Sequence, residues 1–160
     1  MRKIFLTILC LSLILILNCD WRDILFPDHH NVISHSWIIL FEDLDQISID
    51  PDPTYIRSAE IEENKLKLRV DYAGGCEKHY FKLYGWKGII KTYPPQAEIF
   101  LSHDANGDAC EALIIKDLTF DLTPLKLNYQ MNFNQNGPLL LRIYVPGATE
   151  PFEPLPIYNF

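Results

Sequence analysis

The chain has 160 residues, 48% of them hydrophobic, with 14 basic residues against 21 acidic ones and a formal net charge of −7. That balance excludes nucleic acid as a partner, because affinity for phosphate backbones depends on Lys and Arg neutralising them. It also disfavours electrostatic attachment to anionic lipid, and its plainest reading is a solvated surface. The first nineteen residues are different in kind. Arg2 and Lys3 form a positive start, an apolar run covers Ile4 to Leu17, and Asn18-Cys19 closes it. A positive head, an apolar centre and a short exit are the parts of an export signal. The run is also shorter than the roughly 20 apolar residues of a resident membrane helix. Without residues 1–18 the chain keeps 142 residues and a charge of −9, enough for one domain that buries about 68% of its unfolded surface.

The cysteine at the exit makes this stretch resemble a bacterial lipoprotein signal, in a looser form without Ala or Gly just before Cys19. The resemblance implies cleavage before Cys19 and a diacylglyceryl thioether on its sulfur. It also implies a membrane partner reached through palmitate-like acyl chains and a place in the cell envelope. Two or more acyl chains give a durable anchor, whereas one holds a protein only marginally.

Residues 19–36 show no hydrophobic period and contain Pro27, which predicts a tether. The domain is expected over 37–145, beginning with a strand at Trp37-Ile38-Ile39-Leu40-Phe41. Asp50-Pro51-Asp52-Pro53 is a stiff turn, since proline fixes φ and restricts the residue before it. Leu66, Leu68, Val70 and Tyr72 alternate with Lys65, Lys67, Arg69 and Asp71, the pattern of a half-buried antiparallel strand. Residues 55–62 read as its upstream partner, turning at Glu63-Asn64. Gly74-Gly75 reads as a hairpin that sets Val70 against His79, Leu68 against Phe81 and Asp71 against Lys78. Pro94-Pro95 belongs at a strand entry. Asn106-Gly107 is the strongest short hairpin signal, and it would place His103 opposite Cys110 and Leu101 opposite Ala112. Leu118, Phe120 and Leu122 alternate again.

Residues 123–133 conflict with themselves. Leu125, Leu127, Tyr129, Met131 and Phe133 alternate as in a strand, yet Thr123-Pro124 places a helix cap before proline at the first helical position. A short helical connection is the preferred expectation. A last strand follows over 139–145, and residues 146–160, with four prolines, read as an extended tail. The sum is an all-β fold, an antiparallel β-sandwich of immunoglobulin-like type with at most one short helical connection.

Two segments concentrate unusual residues: Gly74-Gly75-Cys76-Glu77-Lys78-His79-Tyr80-Phe81, and Leu101 to Glu111. Cys10 leaves with the signal and Cys19 is consumed by lipid, so Cys76 and Cys110 remain as an even pair in an oxidising compartment. A disulfide between them would close a loop worth roughly 3–4 kcal/mol in the chain-entropy model. The competing readings are a zinc site of Cys76, His79, His103 and Cys110, whose ligand types zinc accepts, and a pair of free thiols. With the disulfide kept, His79, His103 and Asp108 could still hold a divalent metal, with Asp104 and Glu111 nearby. The plainer alternative is a pair of core histidines bonded to backbone carbonyls or carboxylates. Asp104 to Asp108 has a superficial calcium-loop look, but an EF-hand needs Gly and Glu where Ala109 and Ile115 stand.

These segments resemble those of uncharacterised small bacterial envelope proteins with a GGC-x-x-H-x-F segment. In that group Pro-Pro-Gln, H-D-x-x-x-D-x-C-E and F-D-L-x-P-L follow, here Pro94-Pro95-Gln96, His103 to Glu111 and Phe120 to Leu125. The resemblance implies a secreted β-rich fold and no particular activity. Neither a Gly-x-Ser-x-Gly nor a His-Glu-x-x-His motif occurs. His29, His30 and His35 fall in the tether and read as solvated. Trp37, Tyr84, Trp86 and Tyr93 are candidates for an exposed aromatic patch. The expectation is therefore a lipid-anchored binding or interaction module of the envelope, without a cofactor, whose ligand or envelope-protein partner is not specified. The alternative is a metal-binding protein or metal-dependent enzyme centred on His79 and His103, with zinc as the ion.

Overall fold

Alternation along each strand decides which residues turn inward. In the computed structural model, which describes residues 32–160, β4 (Lys65–Gly74) buries Leu66, Leu68, Val70 and Tyr72 and exposes Lys65, Arg69 and Ala73. The expected export signal, Cys19 and the tether up to residue 31, with His29 and His30, lie outside the described residues. β3 (Tyr55–Glu62) pairs antiparallel with β4 through the expected turn, Glu62 opposite Lys65, with Glu63 in the left-handed region at φ 54°. β7 (Ala112–Asp121) lies antiparallel on the other side of β4, from Lys65–Asp121 to Gly74–Ala112. These three strands form the smaller sheet.

The larger sheet centres on β5 (His79–Ile90) and β6 (Gln96–Asp104), an antiparallel pair. β1 (Val32–Ser34) and β2 (Ile39–Phe41) both lie parallel to β5, end to end along its free edge. β8 (Leu139–Tyr144) runs parallel to β6, and β9 (Ile157–Tyr158) antiparallel to β8. Antiparallel pairing thus holds throughout the smaller sheet, while the larger one is mixed. Parallel neighbours cannot be joined by a hairpin, and β6 reaches β8 only through β7 and the helix.

Both expected hairpins are corners between the two sheets. β4 and β5 do not pair: Val70 lies beside Ile56 and Lys116, and His79 beside Val32. β6 and β7 do not pair either, so His103 opposes Phe81 rather than Cys110 and Leu101 opposes Leu83 rather than Ala112. The Asn106-Gly107 turn itself forms, with both residues at positive φ and Asp108 N–H donating to the Ala105 carbonyl at 3.0 Å. The chain then crosses to the other sheet. Alternation alone permits this, because an inward-facing row is buried equally well by a strand across the core as by one beside it. Leu66, Leu68, Val70, Leu118 and Phe120 of the smaller sheet meet Phe81, Leu83, Ile99, Leu101, Leu141 and Ile143 of the larger one in a single core.

The helix α1 (Thr123–Phe133) resolves the conflict at 123–133. Leu125 and Tyr129 are buried and Phe133 packs against the core, while Leu127 and Met131 are exposed. A spacing of four satisfies both a two-residue and a helical period, so the inward residues carried no discriminating signal. Pro124 stands in the first turn, Asp121 Oδ1 accepts the Thr123 N–H at 2.7 Å, and Asn134 ends the helix in the left-handed region.

Both expected flanks of the domain carry structure. At the end of the tether, β1 pairs with β5. Next to it, Ile38 N–H donates to the Asp121 carbonyl and Asp121 N–H to that of Ser36, tying this segment to the end of β7. Residues 146–160 run extended, as expected, but they pack on the domain. Phe152 N–H donates to Ile143 O, Leu141 N–H to Pro156 O, and the fully buried Tyr158 donates its hydroxyl to Asn64 Oδ1 at 2.7 Å. Tyr158→Ala is therefore expected to cost about 3–5 kcal/mol, the range for emptying a buried aromatic site. Urea denaturation reads this as a lower midpoint, where a free tail would give none.

Candidate functional site

The two corners meet around one carboxylate. Asp108 Oδ2 accepts the backbone N–H groups of Gly75, Cys76 and Glu77 at 2.8, 2.9 and 2.9 Å, and Oδ1 accepts that of Cys110 at 2.8 Å. Gly74 and Gly75 make this approach possible, with φ of 154° and 117°. A Cβ on Gly74 would lie 2.4 Å from His79 Nε2 and 3.0 Å from Asp108 Oδ2. Alanine there would strike the ring and the carboxylate it bonds.

From Asp108 a hydrogen-bonded chain runs inward. His79 Nε2 lies 3.1 Å from Asp108 Oδ2, and His79 Nδ1 lies 2.8 Å from His103 Nε2. His103 Nδ1 faces the carbonyls of Asp52 and Pro53 at 3.2 and 3.1 Å. Both rings are buried, lie edge to edge in nearly the same plane and are covered by Tyr72 and Phe81. The ends of the chain accept only, so His79 Nε2 and His103 Nδ1 each donate. His79 Nδ1 and His103 Nε2 share the hydrogen bond between the two rings.

The electrostatics agree. The Asp108 carboxyl is held far below the usual carboxylate range, first by the Glu77 and Cys110 N–H groups and then by His79 and Cys76, against the opposing effect of burial. Burial and the neighbouring His79 push the His103 imidazole down, outweighing the two carbonyls. Burial, helped by the Asp108 charge, lifts the Tyr72 phenol to about 12.

The sequence candidates resolve as follows. Cys76 and Cys110 form a disulfide with Cα atoms 5.9 Å apart, so the Cys2His2 zinc set loses both thiolates. The two sulfurs and Asp108 converge within 4.8 Å, but sulfurs bonded to each other are not thiolate ligands. Two imidazoles on one tetrahedral zinc at about 2.0–2.1 Å hold their nitrogens roughly 3.3 Å apart. At 2.8 Å the histidine nitrogens are in hydrogen-bond contact instead. Asp108 is occupied by backbone donors, which also removes it from a calcium loop, while Asp104 caps the Asn106 N–H and Glu111 is exposed. Among the described residues neither ring hydrogen-bonds to a Ser, Thr or Cys side chain. The chain of bonds has a base and no nucleophile.

An open site lies on the outer face of the larger sheet. Ile99, Leu101, Leu141 and Ile143 point into the core, so Phe100, Arg142 and Tyr144 point away from it. Phe100 stacks on Tyr144 with centroids 5.3 Å apart and lies 6.0 Å from Phe41, a row in which Phe41 is buried and the other two are half-buried. At one end is a cleft of about 340 Å³ bounded by Phe41, Leu44, Trp86, Phe100 and the carboxylates of Asp43 and Glu98. Trp86 sits where β5 leaves its ladder between Gly85 and Ile89, an irregularity that re-aims side chains. Its indole N–H donates to Glu42 O at 3.1 Å, and the ring covers Gly88, where a Cβ would lie 2.4 Å from it. Of the four aromatics singled out in sequence, Trp86 lines this cleft, Tyr84 is buried, and Trp37 and Tyr93 are exposed without lining it. His35 packs edge-on to Trp37.

No protein-family model matches the chain, and a search of curated proteins finds no match. Among solved structures it is similar to a NigD-like immunity protein from Bacteroides caccae, at 19% identity and a TM-score of 0.57 over 78% of this chain and 63% of that one. It is also similar to a protein of unknown function from Bacteroides vulgatus, at 17% identity and a TM-score of 0.50 over 81% of this chain and 56% of that one. A candidate lipoprotein from Bacteroides fragilis matches at 12% identity and 0.50, over 79% and 70% of the two chains. The chain thus spans about three fifths of the length of the first two. Identities this low establish a shared fold.

Two outcomes test the corner. Replacing Cys76 and Cys110 together by serine should cost about 3–4 kcal/mol, the loop entropy of a 34-residue separation, measured by urea denaturation. The pH dependence is set by His103, whose folded-state pKa lies below the ordinary 6.5. Between these values the unfolded chain binds the proton and the folded one does not, so stability falls as pH falls from 6.5. The loss levels off once folded His103 is protonated. His103→Gln should flatten this slope between pH 7 and the acid limb; an unchanged slope would refute the assignment.

Proposed function

We propose that this protein is a lipid-anchored binding module of the cell envelope. In this reading residues 1–18 are the export signal, Cys19 carries the lipid, the segment to about residue 31 is a spacer, and the β domain, a sandwich of two curled sheets, presents the binding face. The observation that carries the binding role is the preformed cleft of about 340 Å³ under the partly exposed Trp86, with Phe41 and Phe100 in its lining and Asp43 and Glu98 beside them. Concave sites with aromatic walls and a few polar groups are where ligands bind. The shared fold with a candidate lipoprotein supports the envelope setting, and that with an immunity protein favours a protein partner.

The metal-dependent alternative has less support. His79 and His103 use their ring nitrogens on each other, on Asp108 and on backbone carbonyls, which is the hydrogen bonding of a buried structural pair. The anchor is tested by growing cells with a fatty-acid analogue. Wild type should take up the label and sediment with membranes, and Cys19→Ala should do neither. An unlabelled wild type would overturn the anchor.

A further inference from the structure

We infer that the cleft beneath Trp86 binds the guanidinium of an arginine side chain presented by the partner polypeptide, which rests on the binding-module reading and names the chemistry of its partner. Three observations converge on a planar cation. The walls are aromatic: Trp86, Phe41 and Phe100 line a space of about 340 Å³, and ring faces attract cations, Arg more often than Lys. The rim is acidic. Lys87 neutralises Glu42 at 2.7 Å, but among the described residues neither Asp43 nor Glu98 forms an ion pair. Glu98 stands opposite Arg142 in the β6–β8 register and its charge favours the guanidinium, but Arg142 directs its nitrogens to Tyr144 Oη and Gln96 Oε1 and leaves the Glu98 carboxylate without a direct ion pair among the described residues. The same face already holds one guanidinium of its own, since Arg142 lies 5.8 Å from the Tyr144 ring centre.

The cleft is also built in advance. Trp86 is fixed by its bond to Glu42 O and by its seat on Gly88, so binding orders little that is not already ordered. Guanidinium suits the site better than ammonium because it is planar, weakly hydrated and able to stack while its edge donates to carboxylates.

The test uses the full chain in octyl glucoside, with Trp21→Phe and Trp37→Phe leaving Trp86 as the only indole. N-acetyl-arginine amide is titrated against N-acetyl-citrulline amide, which has nearly the same shape and no charge. The arginine probe should quench Trp86 saturably and bind about tenfold more tightly than the citrulline probe. Asp43→Asn with Glu98→Gln, both solvent-side changes, should bring the arginine probe down to the citrulline affinity. Equal binding of the two probes, no saturable response, or an undiminished preference in the carboxamide variant would each overturn the inference. Lipid labelling is a separate readout, so loss of the anchor and loss of arginine binding are distinguishable.

Discussion

The carboxylate of Asp108 is the contact on which the arrangement of the two sheets depends. It collects four backbone N–H groups from the segments that follow β4 and β6 and a fifth hydrogen bond from His79. These segments leave one sheet and enter the other, so they cannot satisfy their N–H groups in a ladder. A buried N–H without a partner is costly, and one ionised side chain meets that need for both corners at once. The disulfide beside it joins the same two segments covalently.

The histidines extend this contact inward. His79 carries the link from Asp108 to His103, and His103 carries it to the Asp52–Pro53 segment, whose backbone also pairs with His103. A carboxylate, two hydrogen-bonded rings and a proline turn thus join elements from four parts of the chain. The arrangement of Asp, His and His looks catalytic in outline. Its far end meets the Asp52 and Pro53 carbonyls.

The outer face of the larger sheet follows a different logic. Trp86 rests over Gly88 and stays partly exposed, while Phe100 lies between the buried Phe41 and the half-buried Tyr144. The interrupted β5 ladder and Gly88 give the Trp86 ring its seat, and Glu42 O, distant in sequence, holds its indole N–H. An aromatic side chain held in this way has little conformational freedom left to lose on burial.

By itself the sequence determined which residues face inward. The alternation at Leu66 to Tyr72, the turn at Glu63-Asn64, the Thr123-Pro124 helix start and the pairing of Cys76 with Cys110 are local or compositional signals, and each is present in the fold. The position of His79 and His103 on buried faces was legible for the same reason. Only the tertiary structure decided which strand lies beside which. Gly74-Gly75 and Asn106-Gly107 have the local conformations of tight turns, but whether a chain leaving a turn pairs with its neighbour or crosses the core depends on surfaces far away in sequence. The seating of Tyr158 against Asn64 and the cleft under Trp86 arise likewise from long-range packing. Periodicity reports the face of a strand; it carries no information about the identity of its neighbours.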